Sequence, residues 1–332
     1  MIMSTSQHER PVLSESPSPR LIGLGVFFLV AAIALTPQLL IRLGPMRQSL
    51  TSQQPLVRQM AHLEVSAGRG LFVLASIVFF GLFPLWKKVR VSRPMRAIGA
   101  HRISPVLLSV PDRQIHFSSY LVLAVAALTV AFDYSAKSLF RFGPETIKLI
   151  FFEDGLIENA TPILFALNAL LAGLMSWRIG GRHRTTLILL GTFFFLCLME
   201  EISWGQRVFG FKTTGIMAGL NVQNEVNLHN FGGYLADHIF MVLVFLYGFV
   251  VPLLCLRSVF WQRLFDMLGL PVASRGLAIA MLVISFLQPW TVYRIFGQGI
   301  NVQEEREFLT AMAFLALMGE SWIKVQRSRQ LS

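Results

Sequence analysis

The chain has 332 residues, of which 54% are hydrophobic and only 14% charged, with a mean hydropathy of +0.59 and a formal net charge of +11. A soluble domain carries about 25% charged residues, so this composition argues against a soluble enzyme and for a chain immersed in lipid. The basic excess reads as membrane-orientation charge; no basic helix outside the apolar zones and no nucleic-acid fold signature supports a nucleic-acid partner.

Taken in chain order, residues 1–20 read as a polar cytoplasmic tail containing Ser14-Glu-Ser-Pro-Ser-Pro-Arg20. Eight apolar runs follow at 21–41, 70–86, 117–134, 160–177, 185–203, 233–256, 276–296 and 307–323, each near the ~20 residues that a helix needs to cross ~30 Å of hydrocarbon. They predict an all-α polytopic bundle spanning 21–323, with a second cytoplasmic tail at 324–332. Cys197 and Cys255 sit late in successive spans, so they read as free thiols in opposite leaflets. With both termini cytoplasmic, 18 of the 29 Lys and Arg fall in cytoplasmic segments, many of them in Lys87-Lys-Val-Arg-Val-Ser-Arg-Pro-Met-Arg96. The expected location is the bacterial inner membrane. Thirteen of the 18 acids then crowd the outer face, which membrane orientation leaves unexplained.

The outer turns echo one another: Arg42-Leu-Gly-Pro, Arg141-Phe-Gly-Pro, Arg207-Val-Phe-Gly and Arg294-Ile-Phe-Gly. Helix capping accounts for Arg before Gly. It accounts poorly for Asn221-Val-Gln-Asn-Glu225 recurring as Asn301-Val-Gln-Glu-Glu305, or for Glu158/Thr161/Phe165 recurring as Glu307/Thr310/Phe314. A duplicated helix hairpin, with outer turns that converge, is the expectation.

The candidate chemistry lies at those turns. In Glu200-Glu201-Ile-Ser-Trp-Gly-Gln-Arg207, continuous helix would put Glu200, Trp204 and Arg207 on one face. Glu200 or Glu201 could pair with Arg207 or belong to a site, and Trp204 reads as an interfacial anchor. Ser203 has no nucleophile-elbow context. In Asn221-Val-Gln-Asn-Glu225-Val-Asn-Leu-His229-Asn230, a helical segment would bring Glu225 to His229, and Asp237 and His238 follow. Glu200, Glu201, Glu225 and His229 are therefore the catalytic candidates. Glu225, His229, Asp237 and His238 are the candidate ligands for a divalent metal, the one cofactor the composition of the site suggests. Arg207, Asn221, Gln223, Asn227 and Asn230, with Glu153, Asp154, Glu158, Gln303 and Glu305, are the candidate substrate-binding groups, since amides and carboxylates pair with polar head groups. No nucleotide-binding loop, dinucleotide fingerprint, Cys-x-x-Cys or haem motif occurs.

The motifs Glu-Glu-Ile-Ser-Trp-Gly-Gln-Arg (200–207), Asn-x-Gln-x-Glu-x-Asn-Leu-His-Asn (221–230) and Glu-Asp-Gly-x-x-Glu (153–158) resemble those of a group of uncharacterised bacterial multispanning inner-membrane proteins, over residues 115–320. A fainter resemblance, carried by Glu200-x-x-Ser203 with Asp and His nearby, is to the ceramidase/adiponectin-receptor class of membrane hydrolases. That resemblance implies zinc at a membrane face, but the late, closely spaced His pair of the class is missing here. Two functions are expected from these residues. One is hydrolysis or transfer on a lipid or lipid-linked substrate at the periplasmic face. The other is a non-enzymatic transporter, or an assembly partner of other membrane proteins.

Overall fold

The structure, a computed structural model, describes residues 19–44, 46–103, 113–140, 142–151, 155–215, 218, 221, 225–228, 235–288 and 302–330. Among these residues the chain is all-α, with no strand. Lipid offers the backbone no hydrogen-bond partners, so apolar runs of this length close their own N–H and C=O groups as helices. Among the described residues six helices are long and apolar enough to cross a membrane, or seven if one bent pair counts as a single span, and the protein is a multi-pass membrane protein.

The bent pair is α1 (Pro19–Ala34) and α2 (Pro37–Leu43), which meet at 83°. The predicted run 21–41 crosses this corner. Thr36 is extended and its Oγ1 accepts from Leu39 N at 3.2 Å, and Pro37 fills the first helical turn, where its missing N–H costs nothing. A short α3 (Arg47–Leu50) leads to α4 (Pro55–Arg90), whose 36 residues extend well past the predicted 70–86. At 1.5 Å per residue α4 is about 54 Å long, more than the hydrocarbon requires. The hairpin of α1 and α4 turns large apolar side chains such as Phe27, Leu71 and Ile77 outward, as a lipid-facing surface should.

After α5 (Arg93–Ala100), the bundle proper consists of α6 (Arg113–Ser138), α8 (Leu156–Arg178), α9 (Gly181–Glu201), α11 (Leu235–Arg257), α13 (Arg275–Phe286) and α14 (Val302–Gln330); the short α7 (Pro144–Phe151), α10 (Gln206–Phe209) and α12 (Val259–Leu268) lie between them. Phe165, Met175, Leu187, Phe194, Met281 and Leu317 are buried together at its centre. The predicted span 276–296 is helical over Arg275–Phe286, and 289–301 lies outside the described residues. The closing span is longer than 307–323, running from Val302 to Gln330. Within α11 the residues Leu246–Val250 form a π turn, and Gly248 there lies so close to Met281 that a Cβ would meet its side chain at 2.2 Å.

The two sequence echoes have different outcomes. Glu158, Thr161 and Phe165 on α8, and Thr310 and Phe314 on α14, are all buried, and these two helices pack closely. The second echo does not keep one structure: Glu225 sits in the irregular segment 225–228, whereas Glu305 is in the first turn of α14.

Polar groups tie both ends. At the end where α14 finishes, Glu320 is buried and accepts from Ser274 N at 3.0 Å, Ser274 Oγ at 2.7 Å and Ser118 Oγ at 3.2 Å. Nearby, His101 Nε2 lies 2.7 Å from Asp266 Oδ2, and Arg263 donates to Gly99 O, fastening α5 to α12.

Candidate functional site

The opposite end is organised by a turn that sequence periodicity did not reveal. Helix α9 stops at Glu201, and Ser203, Trp204 and Gly205 all take positive φ, at 48°, 52° and 89°. Glycine adopts this conformation freely, but for Ser and Trp each costs on the order of 1–3 kcal/mol and persists only where the surroundings impose it. Here they do. Ser203 is fully buried; its Oγ donates to Glu225 Oε2 at 2.9 Å and accepts from Asn227 Nδ2 at 3.2 Å. Trp204 Nε1 donates to Glu200 Oε1 at 2.7 Å, and Gly205 N donates to Ile202 O at 2.9 Å.

The turn redirects Arg207. Continuous helix would have aimed it at Glu200; instead Nε and Nη2 donate to Glu225 Oε1 at 3.1 and 3.0 Å, and Nη1 donates to Glu158. Burial alone would lower the Arg207 pKa, but the two carboxylates outweigh it and hold the value above the ordinary one for arginine. Asn227 Nδ2 reaches the other oxygen of Glu225 at 2.6 Å. Glu225 therefore receives donors on both oxygens, from Arg207, Ser203 and Asn227. The expected helical pairing of Glu225 with His229 finds no helix at 225–228, and His229 lies outside the described residues.

The loop is held from within. Asn221 Nδ2 donates to Asn227 Oδ1 at 2.8 Å and to Asn227 O at 3.0 Å, and Asn221 Oδ1 accepts from Glu225 N at 3.2 Å. Both asparagines are buried, so the amides expected to bind a head group fasten the loop. Gln206 Oε1 accepts from Val226 N at 2.7 Å, and Glu200 Oε2 accepts from Leu228 N. Neither Ser203 nor Gln206 was recognisable as a fastener. The one sequence signal was Gly205, a left-handed stop three residues after Ile202.

This frame borders a cavity of about 310 Å³. Phe165, Phe193, Leu196 and Phe240 form its apolar wall, and Glu200, Glu201, Asp237 and Glu307 its acidic part, with Trp204 and Leu228 between. Phe193, Cys197, Glu200 and Trp204 are spaced four, three and four apart, so part of the wall is a single stripe of α9 carried past its end. The Glu201 carboxylate accepts no hydrogen bond from the described residues.

The remaining candidates are scattered. Arg306 Nη2 donates to both oxygens of Asp237 at 2.8 Å, and Arg306 Nη1 to Gln288 Oε1 at 2.9 Å. His238 Nδ1 lies 2.6 Å from Glu64 Oε1 on α4. The candidate metal ligands Glu225, Asp237 and His238 are thus engaged by separate sets of partners, and among the described residues no three His, Cys, Asp or Glu are placed to hold one ion. Gln303 Nε2 is 3.4 Å from Glu307 Oε1. Glu305 is fully buried, with neither carboxylate oxygen bonded among the described residues; its electrostatic neighbours are Asp133 and Lys137, not the cavity acids. Glu153, Asp154, Gln223 and Asn230 lie outside the described residues. Comparison with protein-family models, curated proteins and solved structures gives no match to the chain.

Proposed function

We propose that the protein binds the head group of a lipid or lipid-linked substrate in the cavity bordered by α9 and α11, at the outer face of the bacterial inner membrane, and hydrolyses or transfers a group on it. The observation that carries this reading is one cavity with an aromatic wall for a chain and a carboxylate cluster for a polar head. Small-molecule sites have this mixture of apolar lining and few polar groups. Glu201 is the group to exchange protons with the substrate. It lines the cavity and spends no hydrogen bond on the described protein, whereas Glu200 is fixed by Trp204 Nε1 and Leu228 N. The network of Glu158, Arg207, Glu225 and Ser203 keeps those two carboxylates in place and does not touch the substrate.

A second reading has one observation in its favour. Ser203, the hydroxyl nearest the acids in sequence, is fully buried and cannot attack a lipid. The same cavity would then hold its amphiphile without chemistry, as a transporter or an assembly partner would. The transport version draws less support from mid-span: Asn168 donates to Leu164 O and Ala311 O, both at 2.9 Å, and so acts as a tie between α8 and α14.

The test is lipid turnover. Purified protein in nanodiscs made from total bacterial lipid should convert a lipid species detectable by mass spectrometry, and Glu201→Gln should slow that conversion at least ~100-fold, the usual size of a general acid–base contribution. A wild type that retains lipid but converts none would replace catalysis with the second reading.

A further inference from the structure

We infer that the corner between α4 and α5 binds the head groups of anionic phospholipids in the leaflet it meets. Five cations are exposed there: Lys87 and Lys88 at the end of α4, Arg93 and Arg96 on α5, and Arg102 just beyond it. Membrane orientation explains why Lys and Arg gather at one end of the molecule, but not how these five are set. Lys87 and Lys88 suit the negative end of α4. Arg93 and Arg96 stand instead in the first turn of α5, the positive end, where acids are favoured and none is present. Cations placed against the helix polarity are raised in energy unless an anion meets them from outside.

The described part of the protein does not supply that anion. None of the five forms an ion pair or a side-chain hydrogen bond among the described residues. The described acids at this end are Asp266 and Glu320, and both are buried with partners of their own: Asp266 lies 2.7 Å from His101, and Glu320 accepts from Ser118 and Ser274. The exposed surface at this end therefore presents cations and, among the described residues, no carboxylate.

The placement fits a lipid surface. Leu85 faces outward and Trp86 follows, so Lys87 comes at the edge of the hydrocarbon. On α5, Ile98 is buried while Arg93 and Arg96 are exposed. The end of that helix is fastened to α12 by His101 on Asp266 and by Arg263, which donates to Gly99 O. The two guanidinium groups are thus carried on a helix held against the bundle, and a guanidinium pairs with phosphate through two parallel N–H groups. A basic run directly beside a span recognises anionic lipid in this way. An RNA or an acidic protein would meet the same charge, but beside a span the nearest anion is the lipid phosphate.

The experiment reads lipid selectivity with full-length protein in phosphatidylcholine bilayers, using spin-labelled phosphatidylglycerol and spin-labelled phosphatidylcholine as the probes. A cation near a charged surface is worth about fivefold, so phosphatidylglycerol should be favoured at least ~threefold at low salt. The preference should vanish at ~1 M salt, where charge acts over only ~3 Å. Arg93→Gln with Arg96→Gln should lower it at least by half, and adding Lys87→Gln and Lys88→Gln should abolish it. Arg93→Lys with Arg96→Lys keeps the charge and should keep the preference. Arg182→Gln with Arg184→Gln removes equal charge from the turn between α8 and α9, and should leave the preference at the wild-type value. An unchanged thermal unfolding midpoint of the double α5 variant checks its folding. Equal association of the two lipids with wild type at low salt would overturn the proposal, and binding of RNA or polyglutamate in their place would make the partner a polymer. A preference that the α5 variants keep and the Arg182/Arg184 variant loses would overturn the location.

Discussion

Arg207 shows how much of the site depends on a single side chain. Three of its N–H groups reach two carboxylates on different segments, Glu158 on α8 and Glu225 in the outer loop. A lysine keeps the charge but is a point donor that cannot span both partners. Arg207→Lys should therefore lower stability by about 1.5–3 kcal/mol, the range for hydrogen bonds to charged groups, read as a lower thermal unfolding midpoint in detergent. Arg207→Ala should be worse, because it strands both carboxylates. Of this chemistry the sequence displayed the residue types and half of the geometry. Glu200 and Trp204 do meet, as four-residue spacing implies, yet Arg207 turns away because Ser203 and Trp204 leave the helix. No periodicity argument could foresee two non-glycine residues in succession at positive φ; bonds from Glu225 and Asn227 in the loop, with the local one from Glu200, hold it.

At the scale of the helices, the apolar runs were readable and their breaks were not. Hydropathy carried the first span through Thr36-Pro37, although that pair is itself a helix-start signal, so one predicted span became two helices at 83°. The helices also approach where small residues allow it. Gly276 at the start of α13 faces Ser119 on α6, and an added Cβ would lie 2.7 Å from the Ser119 Cβ, an atom fixed to the backbone. Gly276→Ala should push α6 and α13 apart and cost about 1–3 kcal/mol, the usual penalty of overpacking. Gly191→Ala on α9 is the control: its new Cβ would rest 3.4 Å from the Ala172 Cβ, an ordinary contact, and its unfolding midpoint should stay near wild type.

For the molecule as a whole, the charge distribution that pointed to the bilayer also proposes an orientation. With both termini cytoplasmic, a periplasm-active reporter fused after residue 100 should stay dark and one fused after residue 215 should be active; the reverse pattern would invert the assignment of the acidic end to the outer face. The architecture was legible because lipid enforces helices on apolar runs. The cavity was not, since its residues come from α8, α9, α11 and α14, the turn after α9 and the outer loop, and meet only through packing. One feature of the assembly couples it to its surroundings. The α1–α4 hairpin is pinned to the bundle by Glu64–His238 toward one end, and α5, which continues it, by His101–Asp266 at the other. Glu64 and Arg90 lie roughly 40 Å apart along α4, close to the ~40–45 Å of a bilayer with its head groups. Beside the Glu64–His238 pair, hairpin and bundle enclose a space of about 450 Å³ walled also by Leu35, Leu40, Val242 and Phe245. A hairpin held at both ends has a length that the membrane must match. In thin bilayers it must tilt or strain a clamp, at a cost of fractions of a kcal/mol per Å of mismatch, so the acyl-chain length of the host membrane becomes a variable of this protein's stability.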